Sequence, residues 1–350
     1  MEALIAIAQQ FTQVASDISE LGNGLINDTF LVQTQSKSFV LQRINLSVFP
    51  APEQIMANLS QLNDHVALKP KDSVKLKIPA ILKTLTNAGY YQNEQGHYWR
   101  ALAYIENTES LETITHIHQA EQTGFALAHF HGLVSDLEPS HLYDTLPGFH
   151  IAPDYLNHYQ QVLTTANVVS SPESQYCSAF IASHQSIVND LEIAKQQGLL
   201  PLRVIHGDPK LNNFLFAKDT QQIVSLIDLD TVKPGLVHYD IGDCLRSCCH
   251  NLATNEFDLE IATALLTSYL SEAGSFLKKA DYDYLYASIR LIPFELGLRF
   301  YADYLEDNRY FKVTEPKQNL HRAVNQFQLC ESIMKQEKAI NALITRLKLL

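Results

Sequence analysis

The stretch from Val204 to Asp243, VIHGDPKLNNFLFAKDTQQIVSLIDLDTVKPGLVHYDIGD, constrains this chain more than any other. A short apolar run, Arg203 to Ile205, predicts a strand end that hands His206-Gly207-Asp208 to a loop. Asn213 follows five residues after Asp208, and Phe214-Leu215-Phe216 predicts a second strand. Lys218-Asp219-Thr220 predicts a turn, and Ile223 to Ile227 a third strand with Asp228 at its C-terminal end. A hairpin of ordinary loop length therefore gathers the Asp208 carboxylate, the Asn213 amide and the Asp228 carboxylate.

Phosphoryl transfer needs such a trio: a carboxylate to orient the acceptor hydroxyl and take its proton, and hard oxygen ligands for magnesium. Protein kinases meet both needs with an Asp-x-x-x-x-Asn loop, followed after a hairpin by a metal-binding Asp. Asp208 and Asn213 keep that spacing, and Asp228 stands where the metal Asp belongs. With HGDPKLNN and IDLD, the chain resembles the aminoglycoside phosphotransferase/choline kinase superfamily, small-molecule kinases with a protein-kinase-like fold. Through IDLDTVKPG, GDCLRS, FVLQRINLSVF and ELGLRFYADYLEDNRYF it is most similar, within that superfamily, to the N-acetylhexosamine 1-kinases. The resemblance implies an α+β, two-lobed protein-kinase-like fold, with a small β-rich N-lobe and a larger, mainly helical C-lobe. It also implies ATP and Mg2+ as cofactors, Asp208 as the acceptor-orienting base, Asn213 and Asp228 as metal ligands and Asp230 as a helper.

Composition bounds the alternatives. A chain of 350 residues is long enough for two lobes with their own cores. A net charge of −12 with no compensating basic block argues against nucleic acid or an anionic membrane as partner. Five cysteines without secretory spacing, no signal-like N-terminus and no span of membrane length predict a reduced, cytoplasmic setting. Cys244, Cys248, Cys249 and His250 lack a second ligand pair at finger spacing and are read as buried thiols on a helix. Nothing in the sequence sets the oligomeric state.

In chain order, Leu4, Ile5, Ile7, Ala8, Phe11 and Val14 predict an amphipathic helix over 3–16. Gly22 and Gly24 predict a turn before strands over 27–33 and 38–44, where kinase-like folds cover the nucleotide phosphates. The second strand should send a cation to those phosphates. It contains no Lys, so Arg43 is the candidate, with Val40 and Gln42 on the other face and Glu53 as a possible partner. After a helix over 53–66 and a hairpin turning at Glu94-Gln95-Gly96, Tyr104 and Ile105 fall at the expected hinge, where backbone groups would meet an adenine ring. Strand content before residue 107 and helix content after it predict an N-terminal nucleotide-binding lobe over 1–107. The catalytic and acceptor-binding lobe is expected over 108–350.

That second lobe is expected to carry helices over 119–134, 153–165, 171–197, 240–252, 256–273, 282–305 and 315 onward, with Pro293 kinking one of them. His129 and His131, two apart, fall on different helix faces, which discourages a metal reading. His206 is read as a structural support of its loop, Asp240 and Asp243 as loop-stabilising carboxylates, and Arg246 as the local partner of Asp243.

The resemblance assigns Arg299 and Tyr310 to the sugar pocket. It predicts an alcohol-group phosphotransferase acting on a small-molecule substrate, a sugar kinase using the anomeric hydroxyl of an N-acetylhexosamine or related hexose. Leu25 and Ser247 depart from that group, so a reshaped pocket is expected. Choline, ethanolamine or aminoglycoside kinases are the alternatives within the superfamily. A silent nucleotide-binding pseudokinase is the alternative of another class, against which the retained Asp208, Asn213 and Asp228 speak.

Overall fold

Short runs of β-branched and aromatic residues build an antiparallel sheet from the first hundred residues of the computed structural model, which describes residues 2–14, 17–22, 26–35, 37–166, 170–274 and 276–349. Helix α1 (Glu2–Ala8) leads to β1 (Asp17–Glu20), β2 (Asp28–Gln33) and β3 (Phe39–Arg43); α2 (Pro52–Ala67), β4 (Ile81–Leu82), β5 (Tyr91–Gln92) and β6 (Tyr98–Ala103) follow. The sheet order is β1-β2-β3-β6-β4, with β5 also on β6. One face buries Ile18, Val32, Phe39, Leu41 and Trp99 against Ile7 and Ala8 of α1. The sequence predicts helix as far as residue 16, but α1 ends at Ala8 and Val14 is exposed. The chain needs the following residues for β1, a mostly polar strand with only Ile18 buried, which gives no periodic signal.

Helix α2 packs the other way. Ile55, Met56, Leu59 and Leu62 join the core of the helical region, and Asn58 bonds the Val232 carbonyl at 3.0 Å and the Tyr143 carbonyl at 2.9 Å. Beyond β7 (Thr108–Ser110) come α3 (Ile117–Leu133), α4 (Ala152–Thr165), α5 (Pro172–His184), α6 (Asp190–Gln196), β8 (Arg203–Ile205), β9 (Phe214–Ala217), β10 (Ile223–Leu226), β11 (Lys233–Gly235) and α7 (Val237–Cys248). After a small β12 (His250–Asn251) and β13 (Glu256–Phe257) pair, α8 (Leu259–Ala273), α9 (Lys279–Asp283), α10 (Leu285–Leu305), α11 (Gln318–Lys335) and α12 (Glu337–Leu347) close the chain.

The helix expected over 171–197 is interrupted by a tight turn over 185–189, where His184 Nδ1 donates to the Phe180 carbonyl at 3.0 Å. The last expected helix likewise breaks at Gln336, whose side-chain amide donates to the Phe257 carbonyl at 2.8 Å. Pro293 lies inside α10 without ending it. Close approach of α3 to α8 rests on Gly124: a Cβ there would stand 2.2 Å from the Leu265 carbonyl oxygen. Two sheets hold the segment from Val204 to Asp243. β9 lies between β10 and β7, and β8 pairs with β11.

Candidate active site

β8 ends at Ile205 and delivers His206, Gly207 and Asp208 as the sequence predicts. Gly207 takes φ +91°, and a Cβ there would lie 2.6 Å from the Thr231 carbonyl oxygen, so the turn fits glycine alone. Asp240, on α7, accepts the backbone N–H of His206 at 2.7 Å and of Gly207 at 2.8 Å. His131 Nε2 bonds the same carboxylate at 2.8 Å, and its Nδ1 meets Tyr269 Oη at 2.8 Å. Burial alone would raise the Asp240 pKa, but the His131 contact and the backbone donors hold it below the usual carboxylate value. Asp240 thus braces the loop, as the sequence reading has it. Asp243 accepts from Arg246 Nε at 2.8 Å, the local pair predicted from the sequence.

Asp208 is half-buried. Burial works against its charge, but Lys210 Nζ at 2.6 Å outweighs it and holds the carboxyl below the usual range. Asn213 donates from Nδ2 to the Asp208 carbonyl at 2.7 Å, leaving its Oδ1 as an oxygen donor. The Asn213 carbonyl accepts the Ile227 N–H at 2.8 Å, which fixes the position of the next residue, Asp228. Asp228 sits at φ +64° with its side chain exposed to the cleft. The surrounding protein, together with Asp230 and Asp208, pushes its pKa up to about 6, while Lys210 and Arg100 oppose the rise.

Asp230 is disposed differently. Its side chain is buried, with one oxygen 2.5 Å from Arg100 Nη2 and the other 2.8 Å from Asn27 Nδ2. Both carboxylate oxygens are thus committed to protein donors, which argues against the expected metal-helper role. Arg43 also departs from expectation. Alternation puts it on the face with Phe39 and Leu41, where it pairs with Asp28 and lies over the Trp99 ring, away from Asp230. Gln42, on the opposite face, accepts from Arg100 Nε at 3.0 Å and Nη2 at 2.8 Å. Glu53 accepts from Tyr98 Oη at 2.5 Å rather than from Arg43. The signal that identifies Arg100 is a lone charge inside the apolar run Tyr98 to Ala103.

Gly22 takes φ +71° in the turn ahead of β2; Gly24 and Leu25 lie outside the described residues. Tyr104 and Ile105 follow β6 directly, and the Ile105 carbonyl accepts Thr108 Oγ1 at 2.7 Å. Among the described residues no three His, Cys, Asp or Glu side chains form a metal cage. One open carboxylate and one amide oxygen nevertheless suit magnesium, which keeps several waters and shares nucleotide oxygens. The Lys210 ammonium, bonded to Asp208 and near enough to Asp228 for their charges to interact, marks the same place as one that attracts a cation.

Arg299 and Tyr310 do come together. Arg299 lies within 4.9–5.8 Å of the Tyr155, Phe149, Phe311 and Tyr310 ring centres, in a cleft of about 430 Å³ that also takes in Asp154, Asp303 and Glu306. Asp303, which sequence reasoning missed, holds this wall: it accepts the N–H groups of Tyr310 at 2.7 Å and Phe311 at 3.0 Å. His150 joins the cleft to the catalytic loop, with Nε2 2.8 Å from the Gly207 carbonyl and Nδ1 3.1 Å from Glu295. Ser247 accepts the Leu211 N–H at 2.9 Å and so supports the loop.

The fold is that of protein-kinase-like phosphotransferases. The phosphotransferase enzyme family profile matches residues 17–284, and the chain belongs to that family. Among solved structures, it is similar to a microcompartment-associated aminopropanol kinase at 16% identity and TM-score 0.68, covering 97% of this chain and 98% of that one. It is also similar to an aminoglycoside phosphotransferase from Alicyclobacillus acidocaldarius subsp. acidocaldarius DSM 446, at 16% identity and TM-score 0.63, covering 99% and 96%. A third likeness is to spectinomycin phosphotransferase in complex with ADP and spectinomycin, at 13% identity and TM-score 0.60, covering 96% and 98%. No helix among the described residues is long and apolar enough to cross a membrane.

Proposed function

We propose that this enzyme transfers the γ-phosphate of ATP to a neutral sugar, at the anomeric hydroxyl of an N-acetylhexosamine or related hexose. Residues 1–107 would hold the nucleotide, with Tyr104 and Ile105 against adenine, and residues 108–350 the acceptor. Five free, buried cysteines agree with a reduced, cytoplasmic setting.

The observation that carries the acceptor reading is Arg299. Its guanidinium faces are covered by aromatic rings, and among the described residues it has no hydrogen-bonded carboxylate. Aromatic cover on the faces leaves the in-plane N–H donors for a ligand. A half-buried cation with no hydrogen-bonded carboxylate among the described residues disfavours a quaternary or primary amine beside it and favours hydroxyl and amide oxygens. A box of rings that would otherwise suit choline is already filled by a cation of the protein.

Asp208 would accept a hydrogen bond from the attacking hydroxyl and take its proton as the phosphorus–oxygen bond forms. Lys210 keeps it ionised. Asn213 Oδ1 and Asp228 would hold magnesium, which would neutralise phosphate charge when bound. Asp240 and His131 keep the backbone on which Asp208 rides from moving.

A second reading, an amino-alcohol acceptor, has Asp154 in its favour. That carboxylate lines the cleft, whereas Glu306 is engaged by His158 and Asp303 by backbone donors. Measuring ADP release across N-acetylhexosamines, hexoses, choline, ethanolamine, aminopropanol and aminoglycosides separates the two. A hexosamine should give the highest kcat/KM; an amine turned over far better would establish the second reading.

A further inference from the structure

The strand that normally carries a phosphate-directed lysine in kinase-like folds carries Gln42 on its cleft face here. Directly across from Gln42, on β6, stands Arg100, only 1% exposed and among the largest fully buried side chains. Gln42 Oε1 receives both Nε and Nη2 of Arg100, a grip that fixes the guanidinium plane. Asp230 accepts from Nη2 as well, and Asn27 Nδ2 bonds its other oxygen. Asn27 in turn accepts the Asn45 N–H at 3.0 Å, so the exit of the glycine turn and the end of β3 meet at the same cluster.

Two details go beyond what a structural ion pair needs. Arg100 Nη1 is buried and, among the described residues, has no hydrogen-bond partner. Leaving a charged donor buried and unpaired is costly, and such groups point to a missing acceptor. The charge of Arg100 also acts on Asp228, the open carboxylate two residues before Asp230. The unpaired donor thus belongs to a cation whose partner, Asp230, stands two residues beyond Asp228.

We propose that Arg100, held in place by Gln42, is the side chain that binds a phosphate oxygen of the nucleotide, with Nη1 as the donor. Asp230 is then the neutralising partner that keeps a buried cation in place until the nucleotide arrives. The assignment rests on the reading that this cleft binds ATP, and its test keeps the two apart.

Calorimetry in EDTA, which removes any magnesium contribution, compares ADP with adenosine. Wild type should bind ADP at least tenfold more tightly than adenosine. A wild type without that preference, or binding neither, contradicts the nucleotide reading and the Arg100 assignment with it. Arg100→Gln should lose most of the preference while its adenosine Kd stays within about twofold. Gln42→Lys in that background should restore part of it, because a cation returns to the same face. Asp230→Asn, which breaks the ion pair but keeps the cation, should retain or increase the preference for ADP. Should Arg100→Gln not fold, Asp230→Asn still decides. An Asp230→Asn protein that loses ADP preference, or an Arg100→Gln protein that keeps it, overturns the assignment.

Discussion

His206 donates from Nε2 to the Ile227 carbonyl, 2.9 Å away, while its Nδ1 accepts the Asp208 N–H at 3.2 Å. One neutral imidazole therefore ties the loop of Asp208 to the strand end of Asp228. Burial holds its pKa below the ordinary histidine value, against the pull of Asp240 and Asp208, and protonation would turn Nδ1 from acceptor to donor. The relative placement of Asp208 and Asp228 thus depends on this ring.

Asp208→Asn keeps the side-chain volume but removes the proton acceptor. Turnover should fall roughly a hundredfold or more, the scale of lost base catalysis, while the Kd for ADP changes little. Steady-state kinetics with ADP calorimetry checks both; a fully active variant contradicts the assignment.

Asp228 has its pKa raised to about 6, from an ordinary 3.8. Its protonated form is favoured by folding, so the stability it contributes is present below pH 4 and lost as pH rises through about 6. In metal-free protein at pH 8, Asp228→Asn should therefore raise stability, by about 1 kcal/mol once solvent screening of an exposed group is allowed for. The same variant should lose magnesium-dependent strengthening of ATP binding. In wild type that strengthening should fade as pH drops below about 6. Denaturation at pH 8 and titrations with and without magnesium test these signs.

Asp240→Ala leaves the His206 and Gly207 N–H groups and His131 without their shared acceptor. Removing one side of a buried polar network typically costs about 3–5 kcal/mol. Urea denaturation should show a loss on that scale; a change below about 1 kcal/mol would mean that other groups hold the loop.

Arg299→Ala should raise KM for the acceptor at least tenfold, as expected when a site built to bond hydroxyl or amide oxygens loses its donor. ATP affinity should not change. Equal effects on both substrates would point to collapse of the aromatic wall.

The hairpin that brings Asp208, Asn213 and Asp228 together is legible in the sequence because its signals are local. A strand, a fixed five-residue step from Asp208 to Asn213 and a second strand are all written within one short run. Asp240 reads in sequence as a loop-stabilising carboxylate, but which loop it holds, that of His206 and Gly207, becomes visible only when α7 packs behind β8. Taken by itself, β3 offers no cation but Arg43. The cation facing Asp230 comes from β6, a neighbour in space but far along the chain. Short strands such as β7 and β11 carry no pattern of their own and form because partners from distant segments reach them. Arg299 and Tyr310 came from family resemblance, whereas the Phe149 and Tyr155 rings around Arg299 arrive from another part of the chain.

The most direct measurement is phosphorus NMR of the products formed from ATP, magnesium and N-acetylglucosamine. A sugar 1-phosphate, its phosphorus coupled to the anomeric proton and formed in step with ADP, is the predicted result. No sugar phosphate under conditions where an amino alcohol or an aminoglycoside is phosphorylated would contradict the account of the acceptor site.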